Sequence, residues 1–282
     1  MFHGSFVPMR SGGMDDYMGK TRVWLQPTVI AQNFILAVIA VIVSIPLVLT
    51  VQRSLAVNGF ENYLIVLQDT MIVRNFLNSA TVTVLTIILV TICVTLSAYA
   101  FSKLHFPLKG TIYLMFLLAL MIPGASMLFP IFQVIRRVGL VDNFLGLVGP
   151  YAAFQIPFNL VIMKNYYDTI PNEILESAQM DGCNSFQTLI HIMIKLSGPV
   201  LAVIILWTFI GVWNEFMYAF ILINDLEMRT LTTLPMRFTG LYLNNYELVF
   251  TALVIIQMPL VLLFIFTQRS IQEGLVVGAI KG

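Results

Sequence analysis

The chain has 282 residues, of which 59% are hydrophobic and only 10% are charged. Soluble domains carry about a quarter charged residues, so this composition excludes a soluble domain and indicates that most of the chain lies in lipid. The net charge is +1 and the basic residues are scattered, which gives no reason to expect nucleic-acid binding. The sequence has no G-x-x-x-x-G-K-[ST], H-E-x-x-H or G-x-S-x-G motif. We therefore predict no catalytic residues, no metal ligands and no cofactor on this chain.

The N-terminal part divides into a polar stretch and a long apolar run. Residues 1–22 lack apolar periodicity and are predicted to form a cytoplasmic tail. The run from 23 to 52 is uncharged and exceeds the roughly 20 residues that a membrane-spanning helix needs. Its length and the lack of a clear cleavage site favour an uncleaved first span over a signal peptide.

The second and third spans are predicted over residues 75–102 and 111–135. The second is rich in Val, Thr and Ile, but in lipid a helix is favoured because it satisfies every backbone group internally. The third is interrupted at Pro123-Gly124 and again at Pro130. Such breaks are tolerated mainly beside protein or a wet cavity, so Pro123 and Gly124 are candidates for the wall of a solute path. A packing kink without solute contact is the alternative.

Three further spans complete the predicted membrane domain, which covers residues 23–282. They are expected at 143–163, 196–224 and 248–268, and residues 269–282 form a C-terminal tail. The fourth should be broken at Pro150 and Pro157. Six spans place both termini on one side, and the positive-inside rule favours the cytoplasm, with nine Lys and Arg residues on that side against six outside.

A polar segment, Ile170 to Pro199, separates the fourth and fifth spans. Asn172 can cap a first short helix, and Gly182 can end it in a left-handed conformation. Asn184 or Ser185 can cap a second helix, whose apolar residues recur at helical spacing. The segment is predicted to be a helix, a glycine turn and a helix.

This segment resembles the EAA loop of the permease subunits of binding-protein-dependent ABC importers. The matching residues are Glu176-Ser177-Ala178, Asp181-Gly182 and Ile192. Ser177 stands where the family commonly has Ala, and Ile194-Lys195 stands where it commonly has Leu-Pro. Trp213-Asn214-Glu215-Phe216 and the closing Gly278 to Gly282 resemble stretches of the carbohydrate-importer subgroup. The resemblance covers roughly residues 30 to 282.

The resemblance implies a set of partners and a role for each matching stretch. The partners would be a second homologous permease, two ATPase subunits that bind ATP and Mg, and an extracytoplasmic solute-binding protein that delivers a sugar or oligosaccharide. The protein would lie in the bacterial cytoplasmic membrane, in contact with lipid and with no nucleic acid. The residues expected to couple to the ATPase are Glu176, Ser177, Ala178, Asp181 and Gly182. Gly278, Lys281 and Gly282 are expected to contact the ATPase pair.

Glu215 is an ionisable residue inside an apolar run. A carboxylate facing lipid at the bilayer centre is costly, so Glu215 should face protein or water. Together with Asn214 it either lines the translocation path or belongs to a buried hydrogen-bond network. The alternative function for the chain is a stand-alone secondary transporter or channel for a small polar solute. That reading requires charged coupling residues within the spans, and only Glu215 qualifies.

Overall fold

The computed structural model describes residues 27–240 and 245–279, with side chains at 28–240 and 245–268. This part of the chain is helical, which confirms the predicted all-α class. In chain order the helices are α1 (Pro27–Ser54), α2 (Glu61–Leu67), α3 (Ile72–Lys103), α4 (Lys109–Ala119), α5 (Leu128–Arg137), α6 (Phe144–Thr169), α7 (Asn172–Met180), α8 (Ser185–Leu196), α9 (Gly198–Trp213), α10 (Met217–Leu222) and α11 (Tyr246–Ala279). Two 3₁₀ helices cover Gly124–Met127 and Leu231–Phe238. The predicted tail at 1–22 lies outside the described residues.

Four helices, α1, α3, α6 and α11, are each long and apolar enough to cross a membrane. Two bent pairs raise the number of candidate crossings to six if each pair forms one span. One pair is α4 with Gly124–Arg137, bent by 96°, and the other is α8 with α9, bent by 81°. The described helices therefore supply the polytopic membrane fold that the sequence predicts.

The interruption of the third span predicted at Pro123-Gly124 is confirmed, whereas the one predicted at Pro130 was wrong, because Pro130 lies in the first turn of the continuous helix α5, where its missing amide donor is not needed. Pro123 has an extended backbone, with φ −67° and ψ 130°, and its carbonyl accepts a hydrogen bond from the Ser126 amide at 3.0 Å. The helical path ends at Ala119 and resumes at Gly124 in a new direction. Because proline has no amide hydrogen and disfavours the α conformation in the residue before it, Pro123 explains the position of this bend.

The breaks expected at Pro150 and Pro157 are absent, so this prediction was wrong. Both prolines lie inside the continuous 26-residue helix α6. Asn143 caps its N-terminus by accepting a hydrogen bond from the Leu145 amide at 2.9 Å. Pro150 and Pro157 are both buried, and the packing of α6 against α3 and α9 keeps the helix intact despite the missing donors.

Helices α3, α6 and α9 pack against one another, and α11 packs on α9. Three groups of buried apolar side chains hold them together. The first surrounds Tyr167 and Met193, where α3, α6, α8 and α9 meet. The second surrounds Tyr151 and Leu222, and the third surrounds Trp213. Trp213 stacks on Phe209 with ring centroids 5.2 Å apart, which makes it a packing residue.

Helix α1 forms a unit of its own up to Arg53. Its side chains are apolar and largely exposed. The Thr50 hydroxyl donates to the Pro46 carbonyl at 2.8 Å. A helix of this length whose only charged residue, Arg53, lies in its last turn and whose apolar side chains are exposed is typical of a membrane span.

Candidate coupling segment and translocation cavity

Helix α7 ends in the turn that the sequence predicts. Gly182 has φ +84°, the left-handed conformation that glycine adopts without a side-chain penalty. The Cys183 amide donates to the Ala178 carbonyl at 2.9 Å, and the Gly182 amide donates to the Gln179 carbonyl at 3.0 Å. These two hydrogen bonds form a Schellman motif, which satisfies carbonyls that the helix end would otherwise leave unpaired.

Helix α8 begins in a capping box, which confirms Asn184 as its N-cap. The Asn184 side chain accepts from the Gln187 amide, and the Gln187 side chain accepts from the Asn184 amide, both at 2.9 Å. The helix then passes through one π-helical turn, Leu189–Met193. Such π turns are uncommon and often lie at functional sites.

The N-cap predicted for α7 was wrong. The cap position is Pro171, and Asn172 is the first helical residue. The Asn172 side-chain oxygen instead accepts from the Lys103 ammonium at 3.0 Å, and the same ammonium donates to the Ile170 carbonyl at 2.6 Å. Lys103 therefore ties the end of α3 to the start of the segment, a long-range contact that local sequence does not reveal.

Further contacts brace the segment against α6. The Tyr166 hydroxyl donates to the Leu196 carbonyl at 2.6 Å and so joins α6 to the end of α8. Asp168 accepts from the Ser102 hydroxyl and forms an ion pair with Lys164, each at 2.7 Å. The Asp168 contacts join α3 to α6, and the segment itself is held by Lys103 of α3 at its start and by Tyr166 of α6 at its end.

The inner face of the segment is buried within this chain. Leu175, Ala178, Leu189 and Met193 have between 0% and 8% of their surface exposed. Burial of a Leu or Met side chain contributes about 1.5–3 kcal/mol, so this face anchors the segment firmly. Ala178, one of the predicted coupling residues, therefore serves the packing of α7 and is not on the outer surface.

The outer face carries the other predicted coupling residues. Glu176, Ser177, Asp181 and Gly182 are all exposed. Large apolar side chains lie beside them, including Met180, which is 89% exposed, and Phe186, which is 62% exposed. Exposed apolar groups beside a charged rim are typical of a protein-docking surface.

The second site is a break in the predicted fifth span. Helix α9 ends at Trp213 and α10 begins at Met217, although no proline or glycine lies between them. The Glu215 carboxylate fills the break by accepting hydrogen bonds from the Tyr218 amide at 3.0 Å and the Ala219 amide at 3.2 Å. The Tyr151 hydroxyl on α6 donates to the same carboxylate at 2.6 Å, and the Thr232 hydroxyl donates to the Glu215 backbone carbonyl at 2.9 Å. The backbone of the break is therefore satisfied by protein groups, as a membrane requires.

The break opens onto a cavity of about 230 Å³ that brings Glu215 and Gly124 together. The Tyr218 hydroxyl donates to the Gly124 carbonyl at 2.8 Å, so the interruptions of the third and fifth spans are directly joined. The lining residues are Gly124, Ala125, Tyr151, Phe154, Gln155, Gly211, Val212, Glu215, Met217 and Tyr218. Pro123 is exposed and is not among them.

Asn214 faces a different cavity, of about 350 Å³, which it lines together with Phe216 and Gln257. Its amide donates to the Ile210 carbonyl at 2.9 Å. The two adjacent residues at the break, Asn214 and Glu215, thus line different cavities. The sequence reasoning that grouped them as one site did not anticipate this.

Sequence reasoning missed Tyr151, Phe154, Gln155 and Tyr218 as cavity residues. The first three follow i, i+3, i+4 spacing, which places them on one face of α6. That spacing was the available signal. The spacing does not by itself indicate a cavity, because an aromatic residue in a membrane helix most often only packs against lipid or protein.

The tail predicted at residues 269–282 is helical as far as Ala279, because helix α11 continues through Gly278. Nothing is described of the side chains beyond residue 268. Lys281 and Gly282 lie outside the described residues.

A polytopic helical fold with a braced helix-turn-helix and a cavity where two spans are interrupted is typical of a membrane transport protein. The model of the family described as "binding-protein-dependent transport system inner membrane component" matches residues 93–276. The chain is 32% identical over 207 residues to the probable ABC transporter permease protein YurM of Bacillus subtilis, covering 73% of this chain and 69% of that protein. It is 34% identical over 227 residues to the trehalose/maltose transport system permease protein MalG of Thermococcus litoralis, covering 79% of this chain and 81% of that protein.

A solved structure shares the fold. A bacterial ABC transporter involved in the import of the acidic polysaccharide alginate aligns with a TM-score of 0.73 at 22% identity, over 93% of this chain and 99% of that one. The chain belongs to the family of binding-protein-dependent transport system inner membrane components. It is a permease subunit of an ABC importer, a membrane-embedded transport component and not an enzyme.

Proposed function

We propose that this permease imports a sugar or oligosaccharide and that the Ile170 to Pro199 segment transmits ATPase movement to the path. Several relatives carry names that refer to oligosaccharide uptake, among them diacetylchitobiose and arabinooligosaccharides. The observation that carries the coupling role is the segment's two-sided character. Its inner face is buried against α3, α6 and α9, and its outer face exposes charged and apolar groups.

The proposed complex contains a second homologous permease, two ATPase subunits that bind ATP and Mg, and a solute-binding protein outside the membrane. Glu176, Ser177, Asp181 and Gly182 contact the ATPase, while Ala178 supports them from beneath. Both termini are cytoplasmic, and residues 23–282 form the transmembrane domain. Gly278, Lys281 and Gly282 lie against the ATPase pair.

The segment would act as a lever because its ends are fixed to membrane helices. Lys103 and Tyr166 hold its two ends, and α8 leads into α9 through a bend of 81°. A shift of the docked surface would therefore turn α6 and α9 together. The cavity at Glu215 and Gly124 is lined by residues of α6 and α9 and of the 3₁₀ helix Gly124–Met127, so movement of α6 and α9 would change access to it.

The stand-alone transporter reading gains no support from Glu215. Its carboxylate is occupied by Tyr151, Tyr218 and Ala219 within this chain, so its position does not favour a coupling ion site. We propose that Glu215 stabilises the interruption of the fifth span beside the translocation path. Asn214 would line a second part of that path.

The experiment is ATP-dependent uptake by the complete complex, purified through a tag on this chain and reconstituted in vesicles. Maltose, trehalose, diacetylchitobiose and arabinooligosaccharides are supplied with the solute-binding protein, and methionine serves as the non-sugar comparison. We expect ATP-dependent accumulation of at least one sugar and none of methionine. Methionine uptake without sugar uptake would overturn the sugar assignment, and uptake without ATP or ATPase subunits would overturn the importer assembly.

A further inference from the structure

Four side chains bring polar groups to the cavity of about 230 Å³: Tyr151, Gln155, Glu215 and Tyr218. Three of them are engaged inside the protein. Tyr151 donates to Glu215, Glu215 accepts from two backbone amides as well, and Tyr218 donates to the Gly124 carbonyl. Within residues 28–240 and 245–268, the side-chain amide of Gln155 makes no hydrogen bond to a protein group. It therefore keeps two donors and an acceptor for a ligand.

Gly211 makes room for this amide. A Cβ atom built on Gly211 would overlap the Gln155 side-chain nitrogen and would lie 2.9 Å from its Cδ atom. Any larger residue at this position of α9 would displace the Gln155 side chain. The glycine thus sets where the free amide sits between α6 and α9.

Gln155 lies near the middle of α6, a helix long and apolar enough to cross a membrane, so in such a crossing it would lie near the membrane interior. An unpaired amide at this depth is costly against lipid, so it should meet water or a polar solute. The neighbouring Asn159 shows the contrasting case, since its amide donates to the Gln155 backbone carbonyl at 2.9 Å and to the Thr208 hydroxyl at 3.3 Å. The Asn159 NH₂ group is thus engaged inside the protein, whereas the Gln155 NH₂ group is presented to the cavity.

We infer that Gln155, positioned by Gly211, hydrogen-bonds the hydroxyl groups of one sugar unit as it passes through the cavity. This inference rests on the proposed sugar-import function. An amide matches a hydroxyl group, because each offers both a donor and an acceptor. The Phe154 and Tyr218 rings, 5.6 Å apart, supply apolar wall beside the amide. Cavities that enclose a whole drug-sized ligand measure about 300–1,000 Å³, so this smaller one suits a single unit of a longer solute.

The first test is the accessibility of a cysteine at position 155. Cys93 and Cys183 are first replaced by Ser, and Gln155→Cys is introduced in the complete complex in nanodiscs. A membrane-impermeant methanethiosulfonate is then added at rest and during turnover with ATP and solute-loaded binding protein. Ala153→Cys, which is exposed and lies about 200° around the same helix, is the matched control. We expect labelling at 155 that the transported sugar slows, and little labelling at 153.

The second test is uptake. Gln155→Leu removes the amide with little change in volume, and the uptake rate should fall roughly 3- to 10-fold, the effect of one neutral hydrogen bond. Gln155→Asn keeps the amide and should be less affected, Gly211→Ala should resemble Gln155→Leu, and Ala153→Leu should transport normally.

The outcomes separate this inference from the proposed function. Sugar uptake that is normal in Gln155→Leu, or labelling at 155 that saturating sugar does not slow, overturns the role of Gln155 alone. If the unmodified complex transports none of the sugars, the proposed sugar function fails, and the hydroxyl assignment fails with it.

Discussion

Gly182→Val should uncouple ATP hydrolysis from transport. At φ +84° a residue with a side chain costs about 1–2 kcal/mol, and a β-branched residue is among the least tolerated. No neighbouring atom lies within 4 Å of a Cβ built there, so the cost is conformational and not a steric clash. The strain acts on the turn whose two hydrogen bonds, to Ala178 and Gln179, fix α7 relative to α8.

The magnitude follows from the turn's own equilibrium. A penalty of 1–2 kcal/mol lowers the population of the native turn, relative to alternatives, by a factor of roughly 5–30. The buried inner face at Leu175 and Leu189 is untouched, so the variant should still insert and assemble. We expect the number of solute molecules transported per ATP to fall several-fold in reconstituted vesicles.

Two matched variants give the comparison. Gly182→Asn should be milder, because Asn tolerates the left-handed conformation better than other residues with a side chain. Gly198→Ala should be harmless, because Gly198 does not have a positive φ and no neighbouring atom lies within 4 Å of a Cβ built on it. Normal coupling in an assembled Gly182→Val complex, or equal defects in Gly182→Val and Gly198→Ala, would refute the reasoning.

The remaining predictions concern other parts of the same apparatus. Glu215→Gln should keep most of the hydrogen bonds that Glu215 accepts and should still assemble. Glu215→Ala leaves the Tyr151, Tyr218 and Ala219 donors unpaired, at a cost of about 1–3 kcal/mol each, and should lower the thermal unfolding midpoint of the complex. Equal midpoints for the two variants would contradict the hydrogen-bond network. Glu176→Lys reverses an exposed charge on the proposed docking face and should weaken ATPase retention during purification, an effect that unchanged retention would exclude. Lys103→Met removes two hydrogen bonds at the start of α7 and should reduce transport per ATP, with normal stoichiometry counting against the lever. Deletion of Gly278 to Gly282 should lower ATPase retention or solute-stimulated hydrolysis, and unchanged values would show that the tail has no contact role.

The local features of the coupling segment could be predicted from sequence. Gly182, Asn184 and Gln187 act on backbone groups within five residues of themselves, so their chemistry and spacing specify the turn and the cap. Pro123 likewise fixes the bend in the third span through its own backbone geometry. The membrane character also followed from composition, because lipid selects apolar surface regardless of topology.

The tertiary structure alone decided the cavity and the break beside it. No proline or glycine lies between Trp213 and Met217. The helix is interrupted there because Glu215 forms other hydrogen bonds, including one with Tyr151, which is 64 residues away in the sequence. Pro150 shows the converse, since α6 remains helical across a residue that breaks helices in water. Gln155 and Gly211 are unremarkable in sequence, and only the packing of α6 on α9 places one against the other. The sequence by itself determined features that depend on neighbouring residues, and the fold determined those that depend on distant ones, because side-chain contacts between helices have no local signature.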